Sequence, residues 1–328
     1  MTAVSAEPPL TWVIGRGGLL GRSLETALAA AGQPHGADIW HPPEPIDWSG
    51  PMAGAVDLRR RAADFLSAVG DRRWSVAWCA GAGVTASCPN ALQLELVALR
   101  ETLDALAAAP TSRAGAFFFA SSAGGVYAGV DAPPYDESSP ARALSAYGQA
   151  KLDGEALVAE WSQDSGIPSL IGRIANVYGP GQNLDKAQGL ISQICRSHLT
   201  GQPLSIYVSL DTLRDYLFAP DCAELIVEGL SRLRRESPSP VVTKVLASQR
   251  AITIGAVLGE MRRLFKTSPH IVLGASPASA LQARDLSLRS RVWPDLDRRS
   301  LTPFPVGVAT TAADLLRRLQ LGAAGLVS

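Results

Sequence analysis

The sequence predicts an α/β protein with a doubly wound parallel β-sheet and a smaller C-terminal lobe. Short apolar runs alternate with helical patterns through the first half of the chain, which is typical of parallel sheets. The first apolar run ends in a glycine-rich turn that leads directly into a helix. Small or polar residues follow the later apolar runs, at the sheet edge where ligands bind in such folds.

Length and composition fit a compact globular protein. The chain has 328 residues, of which 47% are hydrophobic and 18% charged, so it can bury a large core. The formal charge is +0, which argues against nucleic acid or an anionic membrane as the main partner. The four cysteines form no CxxC motif and the four histidines show no metal-ligand spacing. We therefore expect a cytoplasmic protein without a bound metal, and we expect no signal peptide in residues 1–9.

The first element is a strand over residues 11–14, followed by a turn and a helix. The turn carries glycines at positions 15, 18 and 21. Glycines at this spacing allow a tight turn, close approach of the backbone to a pyrophosphate, and close packing of the helix on the strand. The helix is predicted to end at Gly32. The whole unit predicts a dinucleotide site.

The next strands are less clearly marked. A second strand is predicted within residues 37–40. A third at residues 46–48 would place Asp47 near the adenine, with Asp57 as the alternative. No acidic residue follows the second strand in position to bind a ribose 2′-hydroxyl.

The cofactor therefore stays open at this point between NAD and NADP. Arg16 and Arg22 flank the glycine turn and could bind a 2′-phosphate.

Strands and helices continue to alternate up to residue 178. Strands are predicted at residues 74–80, 116–120 and 169–176, and helices at residues 91–109 and from 147 to about 161. The residues at the strand ends are Ala80 and Gly81, Ser121 and Ser122, and Asn176. Because the carboxyl ends of parallel strands meet at one edge of a sheet, these residues and the glycine turn should share one site.

Tyr147 and Lys151 are four residues apart, so a helix places both side chains on one face. An isolated phenol titrates near about 10, and an ammonium group beside it favours the phenolate, which makes it a usable proton carrier. Ser145 is the expected N-cap of this helix. Alone, such a pair is usually an ordinary surface pair, but its place beside the predicted ligand site favours acid–base chemistry.

The pattern becomes irregular after residue 178. A strand at residues 203–206, a polar turn at 214–216 and a helix from 221 are predicted, with further helices around 252–266 and 311–320. We divide the chain into a dinucleotide-binding domain, residues 1–178, to which part of 205–235 returns, and a mainly substrate-binding lobe, residues 179–328. The sequence contains no internal repeat.

Taken together, these motifs resemble the extended short-chain dehydrogenase/reductase superfamily, in the branch of NAD-dependent nucleotide-sugar epimerases and dehydratases. The motifs, in the family's order, are Gly15-x-x-Gly18-x-x-Gly21, Ser121-Ser122-Ala123-Gly124-Gly125-Val126-Tyr127, Tyr147-x-x-x-Lys151, Arg173-x-x-Asn176-Val177-Tyr178-Gly179-Pro180 and Arg214-Asp215-Tyr216. They span about two-thirds of the chain. The resemblance implies a Rossmann-type fold.

The resemblance also implies a catalytic triad of Ser122, Tyr147 and Lys151. Tyr147 would pass a proton to or from a sugar hydroxyl, and Ser122 would orient the same oxygen. Lys151 would bind the nicotinamide ribose and favour the phenolate. The cofactor, NAD with NADP not excluded, would carry the hydride.

Binding residues follow from the same resemblance. Asn176 and Ser122 would contact a nucleotide-sugar substrate, and Arg214 would pair with its diphosphate. A local ion pair between Arg214 and Asp215 is the alternative. The cofactor-binding residues that we expect are Gly15, Arg16, Gly18, Leu19, Leu20, Gly21, Asp47, Ala80, Gly81, Ser121, Tyr147, Lys151, Ile174 and Asn176.

The loop after Ser122 departs from part of the family. Ala123 and Gly124 stand where dehydratases carry an acid pair and decarboxylating members a glutamate, so we do not expect a 4,6-dehydratase. The loop is one residue longer than the Ser-Ala-x-Val-Tyr form, so Ser121 could replace Ser122.

The resulting expectation is an NAD(P)-dependent nucleotide-sugar epimerase that acts by hydride transfer through a keto-sugar intermediate. The alternatives are a 4-ketoreductase or dehydrogenase of the same family, and a non-catalytic dinucleotide-binding sensor on the same fold. We also expect a homodimer that pairs through the helices at residues 91–109 and 147–162, which carry apolar residues on more than one face.

Overall fold

The structure is a computed structural model that describes residues 8–31, 38–48, 52–81, 89–108, 115–184, 189–236, 240–274 and 282–324. The strands are β1 (Leu10–Ile14), β2 (Ile39–Trp40), β3 (Trp74–Trp78), β4 (Phe117–Ser122), β5 (Ser169–Ile174), β6 (Asn176–Tyr178), β7 (Leu204–Ile206), β8 (Leu213–Arg214), β9 (Tyr216–Phe218), β10 (Val241–Leu246), β11 (Ile252–Thr253), β12 (Ile271–Leu273) and β13 (Asp285–Leu286). The helices are α1 (Leu19–Ala31), α2 (Ala53–Val69), α3 (Pro89–Ala107), α4 (Ala123–Val126), α5 (Ala146–Ser165), α6 (Leu190–Thr200), α7 (Ala219–Glu236), α8 (Ile254–Phe265) and α9 (Phe304–Ala324).

The main sheet has six parallel strands in the order β2-β1-β3-β4-β5-β10. Strand β1 lies between β2 and β3, where Thr11 pairs with Ile39 on one side and Ser75 on the other. The chain therefore winds outward in both directions from the gap between β1 and β3. A ligand crevice opens at the carboxyl ends of the strands at such a reversal. The predicted Rossmann-type doubly wound sheet is confirmed.

Helices cover both faces of the sheet because the side chains of each strand alternate between them. Along β4, Phe118 packs into a core with residues of α1 and α7, whereas Phe117 and Phe119 pack into a second core with residues of α2, α3 and α5. All three rings are buried. Each contributes roughly 1.5–3 kcal/mol by burial, so β4 ties the two layers together.

Two parts of the sheet differ from the expectation. Residues 46–48 form no strand, because prolines at 42, 43 and 45 interrupt the run and lack the N–H groups that a sheet ladder needs. Strand β10 was not predicted, yet it pairs with β5 along its whole length. Its buried Lys244 obscures the apolar pattern and is accommodated by an ion pair with Asp297 at 2.9 Å.

A third hydrophobic core lies among α6, α8, α9 and β9, with Ile194, Met261 and Val308 at its centre. Helix α7, by contrast, packs on the main sheet beside β5. The boundary between residues 1–178 and 179–328 stays a prediction. No helix in the described ranges is long and apolar enough to cross a membrane.

Candidate active site

The glycine turn between β1 and α1 is packed too tightly for side chains. Gly15 has a φ of +93°, and a Cβ there would lie 2.5 Å from the backbone nitrogen of Ala80 at the end of β3. A Cβ at Gly21 would lie 2.3 Å from the carbonyl oxygen of Gly15, and one at Gly18 would lie 3.3 Å from the same oxygen. The turn therefore keeps bare backbone beside the gap between β1 and β3, directly before the N-terminus of α1.

A cavity of about 770 Å³ opens at this edge of the sheet, a size typical of small-molecule sites. The structure brings together there twelve of the residues expected from the sequence, which are Gly18, Leu19, Leu20, Ala80, Gly81, Ser121, Ser122, Tyr147, Lys151, Ile174, Asn176 and Arg214. The Ala82–Gly83 end of the small-residue loop after β3 lies outside the described residues.

Four expected cofactor residues do not line the cavity. Gly15 and Gly21 support the turn, as described above. The Nε of Arg16 donates to Glu25 at 2.9 Å, and Asp47 donates its backbone N–H to Asp57 at 3.2 Å. Asp57 is itself paired with Arg60 at 2.7 Å. A cofactor role for Arg16 and Asp47 stays a prediction.

Tyr147 and Lys151 lie on one face of α5, as their spacing predicts. Ser145 caps this helix, and its hydroxyl accepts the backbone N–H of Gly148 at 3.1 Å. The Lys151 Nζ lies 5.8 Å from the centre of the Tyr147 ring and 3.2 Å from a carboxylate oxygen of Glu95 on α3. Burial is the largest single influence and disfavours the ammonium form, but the Glu95 carboxylate, and after it Tyr147 and Cys79, together raise the pKa of Lys151.

The two serines at the end of β4 have different partners. Ser121 is buried and donates its hydroxyl to Glu155 at 2.5 Å. The Ser122 hydroxyl accepts the N–H of Gly125 at 3.2 Å and caps α4, and among the described residues its own hydrogen has no acceptor. Ser122 is therefore able to donate to a ligand, whereas the Ser121 proton is already used.

Ser122 and Tyr147 meet because α4 and α5 are in contact through glycine. A Cβ at Gly148 would lie 2.3 Å from the carbonyl oxygen of Gly125. A Cβ at Gly125 would lie 3.3 Å from Cε1 of Tyr147 and 3.4 Å from Cβ of Ser122. These glycines let the two helices approach closely enough to place the serine and the phenol side by side.

Arg214 is buried without a carboxylate partner among the described residues. Its guanidinium donates to the carbonyl oxygen of Leu213 at 2.8 Å and to Gln282 Oε1 at 3.3 Å. Burial lowers the pKa of Arg214. The alternative ion pair with Asp215 is not formed, since the Asp215 carboxylate accepts the N–H groups of Ser248 and Arg250. A buried arginine that faces a cavity without an acid is suited to bind an anion.

Several polar residues of the site were missed by sequence analysis. Glu155 on α5 was not singled out, and it forms a buried ion pair at 2.7 Å, beside Ser121, with Arg173 of the quoted motif on β5. Glu95 pairs with Lys151, and its signal in the sequence is an acid among the leucines of an amphipathic helix. Gln182 and Gln193 also line the cavity, but glutamines in a loop and on α6 carry no such signal.

A family model described as the NAD dependent epimerase/dehydratase family matches residues 12–242. The chain belongs to this family. The match extends from β1 to the start of β10 and includes the glycine turn, both serines, Tyr147 and Lys151. The resemblance stated from the motifs is thereby confirmed.

Individual proteins match this chain either over a short stretch or at low sequence identity. An uncharacterized UDP-glucose epimerase of Bacillus subtilis is 35% identical over 96 residues, 29% of each chain. The chain thus spans under a third of that relative's length. The UDP-glucose 4-epimerase of Thermus thermophilus, solved with NAD, has a TM-score of 0.75 at 19% identity and covers 93% of this chain and 98% of its own. The RMD protein of Pseudomonas aeruginosa, solved with NADPH, has a TM-score of 0.75 at 23% identity, with coverages of 94% and 99%.

Proposed function

We propose that this protein is an NAD(P)-dependent nucleotide-sugar epimerase that works by hydride transfer through a keto-sugar intermediate. The observation that carries the proposal is the shared cavity. It is lined by Ser122, Tyr147 and Lys151 and also by Arg214, which is buried and has no carboxylate partner in the part of the chain that the structure describes. A proton carrier and an anion-binding group in one cavity suit a sugar that bears a diphosphate.

The residues of the glycine turn fit a dinucleotide. A side chain at Gly15 or Gly21 would collide with backbone, so the turn offers only N–H and carbonyl groups beside the start of α1. The Lys151 ammonium faces the same cavity and can donate to ribose hydroxyls. When bound there, NAD or NADP supplies the acceptor and donor of the hydride.

Tyr147 is the group that we assign to proton transfer. It accepts the hydroxyl proton of the sugar as the carbon becomes a carbonyl, and it returns that proton when the hydroxyl forms again. Ser122 donates its free hydrogen to the same oxygen and orients it. Lys151 keeps a positive charge near the phenolate. The hydrogen returns to the opposite face of the carbon, so no external oxidant or reductant is consumed.

Arg214 and Asn176 are assigned to the substrate. Within the described ranges the acceptors of the Arg214 guanidinium are carbonyl and amide oxygens, and a diphosphate would supply a negative partner. Asn176 lies close by, with its Nδ2 donating to the carbonyl oxygen of Asp215 at 3.2 Å. Ala123 and Gly124 follow Ser122 and cannot protonate a leaving hydroxyl, which favours epimerisation over dehydration.

The experiment begins with mass spectrometry of small molecules released from the denatured protein. The protein is then incubated with UDP- and dTDP-linked sugars in deuterium oxide without added cofactor. We expect a released dinucleotide and an epimer without deuterium at the inverted carbon, because a hydride does not exchange with solvent. An empty protein that consumes NADH or NADPH in proportion to product would identify the ketoreductase instead.

The sensor alternative is tested by Tyr147→Phe, which removes only the phenolic oxygen. We expect the rate to fall roughly 10²–10⁴-fold while the dinucleotide still binds. Tyr135→Phe is the matched control, since the Tyr135 hydroxyl donates to the carbonyl of Val130 and does not line the cavity. A wild-type protein that binds dinucleotide but converts no nucleotide sugar would favour the sensor.

We also propose a cytoplasmic homodimer that pairs through α3 and α5. The two helices pack side by side on one face of the sheet, so they form a continuous surface. Light scattering at micromolar concentration should give twice the mass of the 34.4 kDa chain. A monomeric mass would contradict this arrangement.

A further inference from the structure

Glu95 is an acidic residue on a face of α3 that is otherwise apolar. Leu92, Leu96 and Leu99 stand three residues before, one after and four after it, so the helix places all four on one face. Together with Phe119 they surround a small space next to Lys151. A carboxylate in such surroundings is costly unless it meets a positive charge.

That charge is supplied by Lys151. The Nζ lies 3.2 Å from Glu95 Oε1 and 5.4 Å from the centre of the Phe119 ring. The side chains of Lys151 and Glu95 are 9% and 20% exposed. Glu95 is the only acid within ion-pair distance of Lys151 in the part of the chain that the structure describes.

The geometry leaves part of the ammonium free. A lysine ammonium has three N–H donors, and Glu95 takes one of them. Lys151 lines the large cavity, whereas Glu95 lies behind it and reaches the end of β3, where a Cβ at Gly81 would lie 3.0 Å from its Oε1. Among the described residues no other group accepts from Nζ, so the carboxylate fixes one N–H at the back and leaves two donors for a ligand at the front.

We propose that Glu95 is a positioning residue that holds the Lys151 ammonium charged and turns its two remaining donors toward the ribose of the dinucleotide. This inference rests on the proposed function only in taking Lys151 as the residue that meets that ribose.

The charge environment of Lys151 supports the proposal. The titratable groups around Nζ are Glu95 on α3, Tyr147 on its own helix and Cys79 after β3. Burial raises the pKa of Cys79 to about 12, so that thiol carries no charge at neutral pH. Burial alone would lower the pKa of Lys151, and the Glu95 carboxylate is the largest influence in the opposite direction. Without Glu95, the amine is therefore expected to lose its proton more readily.

The test measures the protonation of Lys151 without any substrate. Cyanate carbamoylates neutral amines: the nitrogen lone pair attacks the carbon of isocyanic acid, and the amine proton moves to the cyanate nitrogen. Carbamoylation of Lys151 is followed by peptide mass spectrometry between pH 7 and 10, with the exposed Lys266 as internal reference. Glu95→Gln keeps the shape and removes the charge. We expect labelling of Lys151 to rise about tenfold or more, the change that one pKa unit produces.

Two further variants separate charge from packing. Glu95→Asp keeps the charge, so carbamoylation of Lys151 in this variant should stay near the wild-type level. If residue 95 merely filled space, Gln would be tolerated better than Asp. Glu101→Gln is on the same helix and removes a partly exposed ion pair with Arg59. Carbamoylation of Lys151 should be unchanged in this variant. If the Gln variant does not fold, the Asp variant still decides, because increased labelling of Lys151 there would contradict the proposal.

The link to the ribose is measured by adding NAD. NAD should protect Lys151 from cyanate in wild type and in Glu101→Gln, and protect it less in Glu95→Gln. Equal protection in all three, or labelling of Glu95→Gln at the wild-type level, would overturn the proposal. Neither result depends on turnover, so failure to find an epimerase substrate would leave this test intact.

Discussion

Two successive turns of α5 carry buried ion pairs that serve different ends. Lys151 pairs with Glu95 through a single contact at 3.2 Å and faces the cavity. One turn later, Glu155 pairs with Arg173 through three hydrogen bonds of 2.7 to 3.2 Å. The second pair also accepts from Ser121 and donates to Tyr127. The number of hydrogen bonds that each cation makes, more than its burial, distinguishes a pair that can still bind a ligand from one whose donors are used within the fold.

The largest difference that we expect is in stability. Arg173→Met leaves the Glu155 carboxylate buried with only Ser121 as donor, and should lower the free energy of unfolding by about 3–5 kcal/mol. Lys151→Met leaves Glu95, which is 20% exposed and can hydrate, and should cost about 1 kcal/mol. Urea unfolding of the wild type and both variants measures these losses of unfolding free energy. Equal losses would mean that the two pairs are equivalent.

The second prediction concerns the rate of turnover, where we expect Lys151→Met to have a larger effect than Arg173→Met. Lys151→Met should slow turnover roughly 10²-fold or more and weaken dinucleotide binding, because it removes the cation beside Tyr147. Arg173→Met should change the rate by a few-fold at most, at temperatures where it is folded. Steady-state kinetics and NAD titration distinguish these outcomes. A comparable rate loss in Arg173→Met would place the second pair in the catalytic machinery.

A third prediction concerns the two serines. Ser121 contacts the Glu155–Arg173 pair, whereas Ser122 lines the cavity together with Lys151. Ser122→Ala should slow turnover about tenfold to a hundredfold, the effect of losing one hydrogen bond in the reaction. Ser121→Ala removes a buried donor from Glu155 and should cost about 1–3 kcal/mol of stability with little change in rate. The reverse pattern would make Ser121 the reacting residue.

The smallest effect is a pH dependence of stability. The pKa of Lys151 is raised in the folded protein, so its stabilising contribution is complete below the ordinary lysine pKa of 10.5 and is lost as the pH rises through the raised value. Glu95→Gln removes the largest of the influences that raise this pKa, so the pKa of Lys151 in the folded variant is lower than in the wild type. The difference in unfolding free energy between the two proteins, on the order of 1 kcal/mol, should therefore shrink as the pH rises through the lower pKa of the variant and the raised pKa of the wild type. A difference that stays constant over this range would contradict the charge pairing.

The sequence was informative wherever function depends on local spacing. The glycine turn, the Tyr147–Lys151 spacing and the Ser145 cap all act within one or two turns of chain, and the structure shows each as predicted. The paired acids were missed because their partners are distant, 56 residues apart for Glu95 and Lys151. Strand β10 was missed for the same reason, since its Lys244 becomes compatible with a buried strand through Ser290, Val292 and Asp297, far along the chain.

The catalytic role of Ser122, the cofactor choice and the diphosphate role of Arg214 stay predictions, but the structure sharpens two of them. The use of the Ser121 proton by Glu155 favours Ser122. No carboxylate lies within ion-pair distance of Arg214 among the described residues, and its acceptors beyond its neighbour Leu213 come from one distant segment, at residues 282 and 284, which no local pattern encodes.

The contact between Gly125 and Gly148 limits how this scaffold could be redesigned. A library that varies the cavity wall near Tyr207 or Gln193 alters side chains at its periphery. A methyl group at position 148 would instead push α4 and α5 apart and separate the serine from the phenol. Engineers seeking new sugar preferences should therefore randomise the former positions and leave these two glycines untouched.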